Sequence, residues 1–195
     1  MVDGRATRWL GHRAQRRSAF VAAALRVIER VGPTATVDQI AGELGLTRQA
    51  LYRQFDDRAD LDAAIANAAA DELVAAVLPH LDLTGDLEAS VRSGLGAYLD
   101  HVQHHLALYR FVRAHEATGA VERARESMRS KLSGVARDRL VAPGPAADVL
   151  ATGIIGLVDA VVGRWLDEPG GMARDELVDH LVQLVLGVLA TVVSP

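Results

Sequence analysis

The residues best suited to reading another molecule lie together in Thr47-Arg48-Gln49-Ala50-Leu51-Tyr52-Arg53. Arg and Gln carry paired polar atoms that match base edges, and Thr, Arg and Tyr offer donors to phosphate oxygens. On a helix, Leu51 and Phe55 fall one turn apart on a buried side, leaving Arg48, Gln49, Tyr52 and Arg53 on the outer face. A second group runs along "YLDHVQHHLALYRFVRAHE". There His101 and His105 share one helix face, a spacing compatible with a metal. The chain has no cysteine, and no third or fourth ligand stands out, so neither a metal nor a cofactor is assigned. Tyr98, His101, His105, Tyr109 and His115, with Trp165 further on, are instead candidates to line a cavity for a hydrophobic effector, or they are ordinary helix packing and polar surface.

Catalytic patterns are missing from the sequence. It has no phosphate loop, no dinucleotide fingerprint and no G-x-S-x-G elbow, and His115-Glu116 lacks the i, i+4 pairing of a helical zinc hydrolase. The expectation is therefore a protein that binds rather than an enzyme.

The elements that must hold these residues are helical almost throughout. Phe20, Ala24, Val27, Ile28 and Val31 recur at spacings of three and four, predicting a first helix from about Ala14 to Val31 that Gly32-Pro33 ends. Thr36 and Gln39 stand at capping-box spacing and open a short second helix with Val37, Ile40, Ala41 and Leu44 inward. Gly45 suits the positive φ of a sharp corner, and Leu46 is expected to tuck that corner into the core. Thr47 caps the third helix. Further helices are predicted over about 58–78, 87–105, 106–117, 121–140, 145–166 and 174–193, punctuated by "DLTGD", "VAPGP" and "DEPGG". The fold class is all-α with about nine helices.

Charge divides the chain. Residues 1–58 hold ten Arg against six Asp and Glu, a net of +4; the remainder holds eleven Lys and Arg against nineteen Asp and Glu, a net of −8. A basic front on an acidic body suits a nucleic-acid-binding module joined to a domain that does not bind. Arg16-Arg17 before an apolar run superficially resembles an export signal, but Arg26, Glu29 and Arg30 interrupt it. "LVQLVLGVLATVV" is too short to span a bilayer, which takes about 20 residues. A soluble, cytoplasmic protein with no membrane partner is expected.

Two short helices around Gly45, docked on a longer one, form a helix-turn-helix arrangement. The run "RRSAFVAAALRVIERVGPTATVDQIAGELGLTRQALYRQFDDRADLDAAI" resembles the amino-terminal domain of TetR-family transcriptional regulators, closely over residues 16–65 and only in architecture beyond. The resemblance implies DNA-facing positions at Thr36, Thr47, Arg48, Gln49, Tyr52 and Arg53, with Arg58 on a phosphate. It divides the chain into a basic arm (1–13), a DNA-binding domain (14–60, motif 36–55) and a ligand-binding and dimerisation domain (61–195). Arg5, Arg8, Arg13, Arg16 and Arg17 would add phosphate or minor-groove contacts, or form a solvated tail.

The expected partners are a double-stranded operator, a small hydrophobic effector and a second copy of the chain. That copy would be held through the last two helices by Leu177, Leu181, Leu184, Val188 and Val192, with Gly153, Gly156, Ala160 and Gly163 allowing close approach. The implied function is a ligand-responsive homodimeric repressor on a palindromic operator. The alternative is a dimeric helical ligand-binding or adaptor protein that no longer binds an operator.

Overall fold

A computed structural model of the chain describes residues 4–81, 85–115, 126, 129, 130, 133, 145–168 and 170–193. Eight α-helices run through them: α1 (Gly4–Val31), α2 (Val37–Glu43), α3 (Arg48–Tyr52), α4 (Arg58–Val77), α5 (Leu87–His104), α6 (Leu106–Ala114), α7 (Pro145–Asp167) and α8 (Arg174–Val193). A 3-10 turn, Leu78–His80, follows α4. No strand occurs among the described residues, so the all-α class holds. The helix expected over 121–140 lies mostly outside them.

One boundary moved far. The first helix was expected from about Ala14 and begins at Gly4. Nothing in "GRATRWLGHRAQRR" stops a helix, since Arg, Ala, Leu and Gln are good helix formers and the first proline is Pro33. At the other end Gly32 takes φ +105° and its N–H returns to the Ile28 carbonyl at 2.8 Å, a backbone state that favours glycine.

Contacts group the chain into two compact units. The first comprises Met1–Ala70 and His105–Arg125, and the second Asp71–His104 and Glu126–Pro195. In the first, α1 packs on α2 and α6, and Phe20, Ala24, Val27, Ile28, Ile40, Leu51, Phe55, Leu61 and Ile65 close one core together with Leu108 and Phe111 of α6. Phe111 is fully buried there. Burying such a side chain contributes about 2–3 kcal/mol, which makes α6 a component of this core and not a connector. The unit is therefore built from two separate stretches of sequence, where a single cut after residue 60 had been expected.

In the second unit α5 and α7 both pack on α8. The α8 ridge divides. Leu177 and Leu181 are buried inside the unit alongside Val178, Val182, Val185 and Leu189, whereas Leu184 stays 47% exposed. The expected single ridge of Leu177, Leu181, Leu184, Val188 and Val192 is thus corrected: its first two members fill the core of their own unit. The Val178, Val182, Val185 and Leu189 stripe lies about 100° round the helix and turns that side inward as well.

Candidate nucleic-acid interface

The loop before α2 and the turn before α3 fix the site's backbone. Thr36 is the N-cap of α2: its hydroxyl oxygen accepts from Gln39 N–H at 3.3 Å, and Thr36 N–H donates to Gln39 Oε1 at 2.8 Å. This reciprocal box satisfies two of the free donors at a helix start. At the far end Gly45 adopts φ +64°, Gly45 N–H returns to Gly42 at 2.9 Å, and Leu46 N–H returns to Ala41 at 2.9 Å. That pair of bonds is the Schellman closure, which needs a left-handed residue at its centre.

Leu46 was expected to seal this corner in the core, and it does not. Its side chain is 46% exposed. The backbone bond to Ala41 carries the corner, and the next inward side chain is Leu51, fully buried.

Thr47 then caps α3, accepting from Ala50 N–H at 3.3 Å. Five residues make too short a helix to persist alone, so α3 depends on this cap and on Leu51 and Phe55 docked against Phe20 and Ile28. With those anchors inward, Arg48, Gln49 and Arg53 are exposed and Tyr52 is half-buried. The Arg48 guanidinium lies 5.5 Å from the Tyr52 ring centroid and 3.9 Å from Asp38. Thr36 and Thr47 are also exposed. Five of the seven expected residues are therefore exposed, on two successive helix starts and one helix face, while Tyr52 packs partly against the core.

Arg58, the seventh, turns inward. Its Nε donates to both oxygens of Asp62, at 2.8 and 2.9 Å, and its Nη2 reaches the Ala35 carbonyl at 3.4 Å. Asp62 is buried, and from the C-cap of α6 the His115 Nε2 approaches it at 3.6 Å while His115 Nδ1 donates to the Phe111 carbonyl at 2.8 Å.

Several braces escaped the sequence reading. Arg26 and Arg30 of α1 both meet Glu43 of α2, at 3.5 and 2.8 Å. Arg17, grouped with the basic arm on sequence, is engaged within the protein by Asp60, Gln54 and Phe55. The hydrogen bonds it donates to Asp60 hold the guanidinium pKa above its ordinary value, against a smaller opposing effect of burial. The one legible signal for these pairs was the i, i+4 spacing of Arg58 and Asp62.

The candidate effector residues separate. Tyr98, His101 and Trp165 belong to the second unit, and His105, Tyr109 and His115 to the first. Tyr98 donates to Asp159 at 3.3 Å, and Trp165 Nε1 donates to the Met172 carbonyl at 2.8 Å. Tyr109 accepts from Arg113 at 3.1 Å. The face expected to join His101 and His105 is broken: α5 ends at His104, and His105 becomes the N-cap position of α6 with its Nδ1 2.8 Å from Glu29. No group of three His, Asp or Glu residues disposed to hold a metal occurs among the described residues.

With this geometry in hand, residues 20–65 match the family description "Bacterial regulatory proteins, tetR family", and residues 83–188 match "Tetracyclin repressor-like, C-terminal domain". The chain belongs to the TetR family. It is therefore a helix-turn-helix, DNA-binding transcriptional regulator in type.

An HTH-type transcriptional regulator of Mycobacterium tuberculosis (strain H37Rv) is 29% identical over 200 residues, covering 99% of this chain and 85% of its own. The HTH-type transcriptional activator FasR of Mycolicibacterium smegmatis is 26% identical, covering 92% and 85%. Among solved structures, a TetR-family regulator from Streptomyces coelicolor superposes with TM-score 0.75 at 23% identity over 91% of this chain and 82% of that one. The multidrug binding protein EbrR, solved with imidazole, gives 0.65 at 18% identity over 89% and 94%. At such identities the structural matches establish the TetR-family fold alone.

Proposed function

We propose that this TetR-family protein is a ligand-responsive homodimeric repressor that reads a palindromic operator in the cytoplasm. The observation that carries the reading is the outer face of α3, where Arg48, Gln49, Tyr52 and Arg53 stand on a helix anchored from behind by Leu51 and Phe55. Arg48 and Gln49 read base edges. Thr36, Thr47, Tyr52 and Arg53 position the helix on phosphates. Arg58 supplies a further phosphate contact only through the part of its guanidinium that Asp62 and Ala35 leave outward.

A palindrome needs two reading heads about 34–36 Å apart, hence a second copy. The surface offered to it is on α7, where Val149 is 72% exposed and Gly153, Gly156 and Ala160 are exposed on the same side. A Cβ added at Gly153 or Gly156 would meet nothing within 4 Å. The stretch Asp148–Asp167 is long and apolar enough to cross a membrane by length and composition. A one-sided stripe of small residues fits a partner helix better than lipid, and on α8 Leu184 is a further large apolar side chain left exposed.

Effector binding is assigned to the second unit, around Tyr98, His101 and Trp165, with an apolar molecule as ligand. The EbrR neighbour is a multidrug binding protein by its own description. A ligand preferring one spacing of the reading heads shifts the population away from the spacing that fits both half-sites. Helix α4 contributes residues to both units and is the route for that shift.

The test is binding to a duplex that the unaltered chain selects from a random-sequence library. Arg48→Ala lowers affinity for it by about 10-fold or more, as losing a base-edge contact does, and Tyr52→Phe lowers it less. If both variants bind like the unaltered chain, α3 is not the reading face. A chain that selects no duplex is instead the helical adaptor. The activator FasR, at 26% identity, favours a second reading in which the same dimer recruits transcription instead of blocking it. A reporter fused to the selected site decides between them by the direction of change when the gene is deleted.

A further inference from the structure

Arg17 binds three parts of the first unit at once. It lies on α1, its Nη1 donates to the Gln54 carbonyl at 2.9 Å, and its two terminal nitrogens meet the Asp60 carboxylate side by side at 3.0 and 2.6 Å. The same guanidinium sits 4.3 Å over the Phe55 ring, which meets Phe20 edge-on at 6.3 Å. Gln54 and Phe55 are the residues by which the chain leaves α3, and their N–H groups still bond back to the Leu51 carbonyl at 2.8 and 3.2 Å. Asp60 also accepts from the Asp56 N–H at 3.1 Å. The polar contacts of this arginine therefore tie the exit from the reading helix, at Gln54, to the first turn of α4, at Asp60.

We infer that Arg17 is a positioning residue for DNA recognition, fixing the C-terminal end of α3 and so the direction of Tyr52 and Arg53, without itself touching DNA. The inference rests on the reading of α3 as the face that enters the groove. A forked, planar cation is needed because one side chain must serve a carboxylate and a carbonyl while stacking on a ring, a geometry that lysine cannot reproduce. The pair is partly exposed, so its contribution to stability is modest. Its contribution to aim is not reduced in the same way, because a small tilt of α3 misplaces every base contact at once.

This role separates cleanly from the alternative that Arg17, as part of a basic arm, grips a phosphate. The full-length chain is titrated with its library-selected duplex and with a random duplex of equal length, across a range of salt concentrations. A positioning Arg17 gives a specific signature. Arg17→Gln and Asp60→Asn each weaken the selected duplex about 10-fold, leave the random duplex unchanged, and keep the slope of log affinity against log salt. The double variant is no worse than either single one.

A phosphate-gripping Arg17 gives the reverse. Arg17→Gln then weakens both duplexes and flattens the slope by about 0.9, while Asp60→Asn, by releasing the arginine, strengthens both; that pattern overturns the inference. So does an Asp60→Asn chain that binds as the unaltered one does. Asp60→Asn keeps an acceptor oxygen and is the milder change, so it decides alone if Arg17→Gln fails to melt cooperatively. An unaltered chain that does not discriminate the two duplexes removes the DNA reading itself, whereas one that discriminates while its variants follow the phosphate pattern removes only the clamp.

Discussion

Arg58 and Asp62 lie one turn apart on α4 with the arginine Nε between both carboxylate oxygens, at 2.8 and 2.9 Å. The acid is buried and the base about one-third exposed. Removing the arginine leaves the buried carboxylate with His115 alone, at 3.6 Å, so Arg58→Ala is expected to destabilise the fold by at most about 3 kcal/mol, the low end for unpairing a buried charge. The Arg58→Ala, Asp62→Asn double variant recovers part of that loss, because the neutral amide needs no counter-charge. Urea unfolding of the four chains of this cycle measures it.

The corner before α3 depends on a single conformational freedom. A Cβ at Gly45 would touch nothing, so Gly45→Ala meets no clash, only the strain of φ +64° in a residue with a side chain. The expected loss is about 1–2 kcal/mol. Gly45→Asn loses less, since Asn enters that region more readily. Thermal melting of the two variants ranks them.

Thr47 combines two roles that one substitution separates. Its oxygen caps α3 at the Ala50 N–H, and its exposed hydroxyl is the group proposed to meet a phosphate. Thr47→Asp retains a good capping acceptor and adds a negative charge. Melting should therefore be unchanged or raised, while operator affinity falls through repulsion. Thr47→Ala loses about 1 kcal/mol of stability from the missing cap, and its affinity falls with it.

Gly156 tests the partner surface without disturbing the protomer. It is exposed and has open space around it. Gly156→Glu is expected to keep the helical circular-dichroism signal and to sediment as a single chain, where the unaltered protein is expected to sediment as a dimer. Binding to the selected palindrome then drops by 100-fold or more. A dimer that persists would move the interface elsewhere.

The sequence made the reading head legible because its determinants are local. Thr36 and Gln39 stand three apart, glycine at position 45 is the residue type best suited to φ +64°, and the Leu51 and Phe55 spacing points Arg48, Gln49 and Arg53 outward. Leu46 was misjudged because hydrophobicity alone does not say whether a side chain or a backbone bond closes a corner. The partnerships of Arg17 with Asp60, and of His115 with Asp62, join residues more than forty positions apart, which no periodicity encodes. The division of the α8 ridge was hidden for a related reason. A helix with two apolar stripes gives one pattern whether it serves a monomer core or a partner.

The first unit takes Leu108 and Phe111 from a stretch of chain that begins 35 residues after Ala70 leaves it. A gene exchange with one crossover after α4 would join the reading head to a foreign α6 and leave a cavity where Phe111 packs. A working chimera needs two crossovers, or an α6 that happens to fit. Over evolutionary time the DNA-reading segment and the start of α6 should therefore be inherited as one block, and new sensory specificity should be grafted around that block more easily than across it.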